Sequence, residues 1–212
     1  GAFTTGLLAA GNLSVTAATV NNANGAIVSL GDTSVKATTS LNNTGGQIAG
    51  NTVTINTPVL VNTGGRADAQ ERLALKVPQF SADGTLASNG ALELHMQGDY
   101  TNNGTVSSNG DLVISTTGTY TNYKDISAKE NLYLSAAALH NGIEGVIGSK
   151  KTTITATGEV VNEGLINSTA QVTTINAASV RNVGKIYGDH INLSAAMVQN
   201  GANAKGIGAA IA

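Results

Sequence analysis

The chain has 212 residues, of which only 11% are charged and 3% aromatic, and it contains neither cysteine nor tryptophan. That composition excludes a disulfide framework and thiolate metal sites, and a formal net charge of −2 without a basic stripe argues against nucleic acid as a partner. Intrinsic disorder is excluded as well, because 41% of the residues are apolar and they recur at regular spacing, while no apolar run approaches the roughly 18 residues needed to span a membrane as a helix.

Written in lines of twenty, the sequence repeats one short motif about ten times. The first copies are Val20, Asn22 and Ile27, then Asn43 and Ile48, then Leu60, Asn62 and Gly64. A leading pair then becomes clear: Leu73/Leu75, followed by Phe80, Gly84 and Leu86, with Ala82 standing where asparagine is expected. The next copies are Leu92/Leu94, Tyr100, Asn102, Gly104, Val106, then Leu112/Ile114, Tyr120, Asn122, Ile126, then Leu132/Leu134, His140, Asn141, Val146. The last are Ile154, Val160, Asn162, Gly164, Ile166, then Val172, Val180, Asn182, Gly184, Ile186, and finally Ile191/Leu193 with Asn200. In the seventh line either His140 or the preceding Leu139 can be the inward residue.

Each part of the motif has a physical reading. The L-x-L pair has period 2, a strand with one buried face. The apolar or aromatic residue and the isoleucine mark two further short strands. Asparagine and glycine tolerate positive φ, so they are read as turns. Twenty residues thus form one triangular coil of three short strands, and no segment has the apolar spacing and caps of a helix. A single coil leaves its backbone unpaired on both edges; stacking pairs each strand in parallel with its equivalent in the next coil. The prediction is an all-β, right-handed parallel β-helix (a β-solenoid) of about ten coils of about 20 residues, one repeat domain over residues 1–212. Its axial rise is about 4.8 Å per coil, giving a rod of roughly 45–50 Å. Phe80, Tyr100 and Tyr120 are expected to form an aromatic ladder. No secretory leader opens the chain and repeats run close to both ends, so it is expected to be an excerpt of a longer filament.

Segments such as Leu60-Val61-Asn62-Thr63-Gly64-Gly65, Tyr100-Thr101-Asn102-Asn103-Gly104-Thr105-Val106 and Val160-Val161-Asn162-Glu163-Gly164-Leu165-Ile166 resemble the filamentous haemagglutinin repeat. The resemblance covers nearly the whole chain. It implies a large exoprotein secreted to the cell surface of a Gram-negative bacterium through a dedicated outer-membrane two-partner secretion transporter. Relatives of that kind are adhesins or contact-dependent growth-inhibition effectors, whose targets are host or bacterial cell-surface receptors or glycans. The family's repeats carry no catalytic residues, so none are transferred.

The residues themselves point the same way. A carbohydrate-active β-helix enzyme needs two or three converging carboxylates, and here the repeat scatters them. Asp99 and Glu159 share a column but lie three coils apart, roughly 14 Å, beyond the spacing of either glycosidase class. His95, His140 and His190 have no metal-ligating neighbours at repeat spacing. Neither catalytic residues, nor cofactor, nor metal ligands are expected. The outward residues of the L-x-L pairs, read as Ser14, Ser34, Thr54, Ala74, Glu93, Val113, Tyr133, Thr153, Thr173 and Asn192, are too mixed for an ice-binding lattice. Where the repeat is broken, the departure marks either a tolerated loop or a recognition site, and these are the places where a partner contact is to be sought. The first such place is the charged run Arg66, Asp68, Glu71 and Arg72 between the only prolines, Pro58 and Pro78. The second is Tyr123-Lys124-Asp125, which replaces the glycine turn. Val113 and Tyr133 are expected to stack as an exposed apolar strip, and the open coil ends to allow end-to-end self-association.

Overall fold

The computed structural model describes residues 6–81, 83–202 and 208–212. Among these there are strands but no helix, and the strands wind into a parallel β-solenoid of about ten coils. Each coil runs through three faces in a fixed order. The L-x-L face comes first, with strands such as Ala91–His95, Leu112–Ser115, Asn131–Ala136, Lys151–Ala156 and Val172–Asn176. The aromatic face follows, through Gln79–Ser81, Tyr100–Asn102, Thr119–Asn122, Ala138–Asn141, Glu159–Asn162 and Ser179–Asn182. The isoleucine face closes the coil, through Thr85–Ser88, Thr105–Ser108, Asp125–Ala128, Val146–Ser149, Leu165–Ser168 and Lys185–Tyr187. In the first third of the chain single strands bend around a corner and serve two faces, as Gln47–Asn56 and Arg66–Lys76 do.

Every pairing between coils is parallel, and like residues stack on like. Leu92 pairs Leu112, which pairs Leu132; Val106 pairs Ile126; Tyr100 pairs Tyr120. Alternation does the rest: Leu132 and Leu134 are buried while Tyr133 between them is 40% exposed. The core is therefore a set of vertical columns, with Leu73, Leu92, Ile126, Ile147 and Ile166 fully enclosed. The rings of Phe80 and Tyr100 stack with centroids 5.4 Å apart, and Tyr100 and Tyr120 follow at 5.0 Å with a 40° tilt. Among the described residues no strand pairing joins Gln79–Ser81 to Tyr100–Asn102, so ring stacking bridges the aromatic face there.

Two positions differ from the sequence reading, and a third that it left open, Leu139 or His140, is resolved. Ile147, not Val146, continues the isoleucine column, pairing Ile126 below and Ile166 above. Leu139, not His140, fills the aromatic column between Tyr120 and Val160, and His140 faces outward. On the L-x-L face Thr173 and Ile175 point inward, so Val172 and Thr174 face outward. Polarity concealed that register. Thr173 is buried because its hydroxyl is satisfied, donating to Tyr187 O at 2.8 Å and sharing a 2.7 Å hydrogen bond with the Ser168 hydroxyl. Thr152, in the same column, shares a 2.7 Å hydrogen bond with Ser149 Oγ.

The asparagines hold another correction. They are not positive-φ turn residues; among the described non-glycine residues only Asn24 has that backbone. They lie inside the rod at the end of the aromatic face, with Asn102, Asn122, Asn141, Asn162 and Asn182 fully buried. Each Nδ2 donates to the Oδ1 of the asparagine in the next coil: Asn22 to Asn43 at 2.7 Å, Asn102 to Asn122 at 2.8 Å, Asn122 to Asn141 at 2.9 Å, Asn141 to Asn162 and Asn162 to Asn182 at 2.8 Å. The same nitrogens also donate to backbone carbonyls at the corner, for example Asn162 to Lys185 O at 3.0 Å and Asn141 to Gly145 O at 3.1 Å. Gly145 O accepts the backbone N–H of Leu165 as well, at 2.9 Å, so the amide supplies a second donor at a corner carbonyl that the coil pairing already serves. Ala82, the expected exception, falls outside the described residues.

The glycine column beside this ladder is required by proximity more than by φ. A Cβ on Gly104, Gly164 or Gly184 would come within 2.1–2.2 Å of the carbonyl oxygen of the glycine one coil below. Gly64 alone of the column has positive φ, at 59°.

Two predictions follow from the interior. Asn141→Ala removes the donor to Asn162 and the acceptor for Asn122, stranding buried polar groups. It should cost about 2–4 kcal/mol, at one to three per unsatisfied group, measured by chemical denaturation. The buried hydroxyls of Tyr100 and Tyr120 have no hydrogen-bond partner, and burial pushes both phenols well above their ordinary range. Tyr120→Phe should therefore leave stability unchanged or raise it by about 1 kcal/mol.

Candidate functional site

The lateral surface is where this fold can meet a partner. Much of its charge is spent on joining coils. Four aspartates accept a hydrogen bond from a backbone N–H in an adjacent coil: Asp32 from Thr52 at 3.2 Å, Asp83 from Gly64 at 3.1 Å, Asp99 from Thr119 at 2.8 Å and Asp111 from Asn131 at 3.1 Å. Lys124–Glu144 and Lys150–Glu130, both at 3.2 Å, are ion pairs between neighbouring coils. Exposed pairs of this kind contribute roughly 0–1 kcal/mol each.

The nine residues at which a partner contact is to be sought fall into three places. Arg66 and Asp68 lie on the isoleucine face, paired at 2.5 Å beside a depression of about 280 Å³ that also takes in Gln47, Gln70 and Asn89. Glu71 is exposed at the next corner, where Arg66–Lys76 bulges against Gln47–Asn56. The two prolines sit at another corner, where each carbonyl accepts a bond from the coil above: Gln79 N to Pro58 O and Gln97 N to Pro78 O, both 3.0 Å. Stacked there, Pro58 and Pro78 leave the charged segment between them intact as a strand.

Arg72 belongs to a different face from Arg66. It lies on the L-x-L face and donates through Nη2 to Glu93 at 2.8 Å. Glu93, Val113 and Tyr133 stack in register above Ala74, two residues along the strand from Arg72, which pairs Ala91. His95 stands 3.7 Å from Glu93 and shares a 2.7 Å hydrogen bond with Ser115. The structure thus joins Arg72, Val113 and Tyr133 into one strip. Glu93 and His95 complete it and were not singled out by sequence; their 20-residue offset from Val113 and Ser115 was the available signal.

Tyr123, Lys124 and Asp125 occupy the third place, the corner between the aromatic and isoleucine faces. Tyr123 is 40% exposed and meets His140 edge to face, with centroids 6.0 Å apart. His140 is paired with Glu163 at 3.1 Å. A groove of about 320 Å³ on the aromatic face is bordered by His140, Glu159, Val161, Glu163 and Arg181. A second, of about 380 Å³, follows the glycine column past Ile143, Val183 and Tyr187. Among the described residues no three histidine or carboxylate side chains are gathered to hold a metal ion.

The fold and this surface define a class: a repetitive β-solenoid whose features lie along its flank. The chain belongs to the haemagglutinin repeat family, whose model matches residues 8–95, 74–119, 87–164 and 140–209. Searches of curated proteins and of solved structures find no match.

The Arg72–Glu93 pair gives a pH prediction. The hydrogen bond from Arg72 is the main reason the Glu93 carboxyl is held below its usual range; burial opposes it, and the charges of Arg72 and His95 add to it. A depressed carboxyl contributes stability that is present above the unfolded value of about 4.3 and is lost as pH falls through the folded value. With a third of the Glu93 side chain exposed, that contribution is small. Carboxyl NMR titration should place Glu93 below the usual glutamate range, and Arg72→Ala should move it up.

Proposed function

We propose that this chain is a non-catalytic, rod-like module of a large secreted Gram-negative surface protein, an adhesin or the stalk of a contact-dependent growth-inhibition effector. It holds a binding or toxin region away from the cell and presents its flank to a host or bacterial cell-surface receptor or glycan. Export of the whole protein runs through an outer-membrane two-partner secretion transporter. Membership of the haemagglutinin repeat family supports a secreted, surface-located protein.

The observation that carries this reading is the unbroken isoleucine face. Its strands pair in parallel register from Gly6–Ala9 through to Ala210–Ile211. A solenoid of this kind gains length by adding coils, each contacting only its neighbours, so reach is what the architecture supplies most directly. Open coil ends also allow head-to-tail association of separate molecules.

Two measurements test the proposal. Inserting whole repeats should lengthen the particle by about 4.8 Å per coil in small-angle scattering, without broadening its cross-section. Incubation with bacterial and host polysaccharides should leave them uncleaved. Cleavage abolished by a single carboxylate substitution would overturn the non-catalytic reading.

A further inference from the structure

One surface cluster joins neighbouring coils and also leaves an aromatic ring exposed beside a groove. The Tyr123 ring lies over Gly142 of the next coil, where a Cβ would meet ring carbons Cδ1 and Cε1 at 2.5 and 2.6 Å. Its other neighbour in that coil is the His140 imidazole, met edge to face and itself held by Glu163. An exposed aromatic ring is thus held by two contacts in the next coil. His140 also borders the 320 Å³ groove that continues to Glu159 and Arg181. Arg181, half-buried at its base, and Glu159 at its rim make no ion pair among the described residues.

We propose that the groove from Tyr123 to Arg181 binds a short uncharged oligosaccharide. A sugar hydroxyl both donates and accepts hydrogen bonds. The groove offers carboxylates that only accept, a guanidinium that only donates and an imidazole that does either. The C–H face of a pyranose suits an aromatic ring that is already immobilised, because little side-chain freedom is then lost on binding. From the coil of Tyr123 to that of Arg181 is three coil spacings, about 14 Å, which accommodates more than one sugar. An anionic sugar would face Glu159 and Glu163 together. A peptide strand would find no free edge, since Ala138–Asn141, Glu159–Asn162 and Ser179–Asn182 are each paired on both sides. This inference rests on the reading of the flank as a surface presented to a glycan and names its site, while the rod stands or falls separately by the length measurement.

The test is saturation-transfer NMR with irradiation of the aromatic protons. The probes are cellotriose, mannotriose and lacto-N-tetraose, with trigalacturonate as the charged comparison. At least one neutral probe should receive transfer at millimolar concentration. Tyr123→Ala and Arg181→Ala should each weaken that binding at least tenfold, whereas Tyr123→Phe, which keeps the ring, and Tyr133→Ala, on another face, should leave it within twofold. Circular dichroism of each variant separates loss of the site from loss of the fold. Transfer to none of the neutral probes, transfer to trigalacturonate alone, or binding unchanged in a folded Tyr123→Ala variant would each overturn the proposal.

Discussion

The rod depends on a buried line of primary amides. Where each coil leaves the aromatic face, the chain turns sharply and its carbonyls point inward, out of reach of water. An asparagine in nearly every such place, Ala82 being the exception, supplies two N–H donors and one acceptor, usually with a glycine packed close beside it. One donor serves a corner carbonyl and the other the next amide, as Asn162 does with Lys185 O and Asn182. Chains of such bonds inside a low-dielectric interior polarise one another. The apolar columns could tolerate exchange of leucine for isoleucine or valine, and do so within this chain. The amide line tolerates much less, because an unpaired member strands both its neighbours.

How much of this was legible in the sequence follows from the same physics. A period near twenty fixes parallel register wherever the stacked residues are apolar, so the solenoid, the leucine pairs and the aromatic ladder could all be read directly. Errors arose where a buried residue was polar. Thr173 was placed outside and Val172 inside because hydrophobicity alone cannot show that Ser168 and Tyr187 satisfy the threonine hydroxyl. The asparagines were recognised as a column of turn residues, but nothing in a linear sequence shows that their amides point into the rod or that their φ is negative. Val146 and Ile147 differ by one place, and both are apolar; only the backbone path decides which is enclosed.

The surface was harder to read, for a related reason. Departures from the repeat did mark distinctive residues, but proximity in sequence is a poor guide to proximity on a solenoid. Arg66 and Arg72 are six residues apart and lie on different faces, whereas Arg72 and Glu93 touch. Residues meet when they differ by about one coil length, so the strip through Glu93, Val113 and Tyr133, and the cluster of His140 with Glu163, follow from counting along the axis. The same counting shows the aspartates to be clips between coils, which accounts for acidic side chains without assigning them chemistry.

The amide line also has a direction. Every nitrogen in it points toward the later coil, an orientation fixed by the carbonyls that the same nitrogens serve. The interior line is consequently polar in one sense: on either side of the break at Ala82, each stretch runs from an oxygen at its early end to a nitrogen at its late end. Two rods placed head to tail can continue it, donor to acceptor, across the joint. Two placed nose to nose would set like against like, so any longitudinal assembly of this module inherits a built-in arrow.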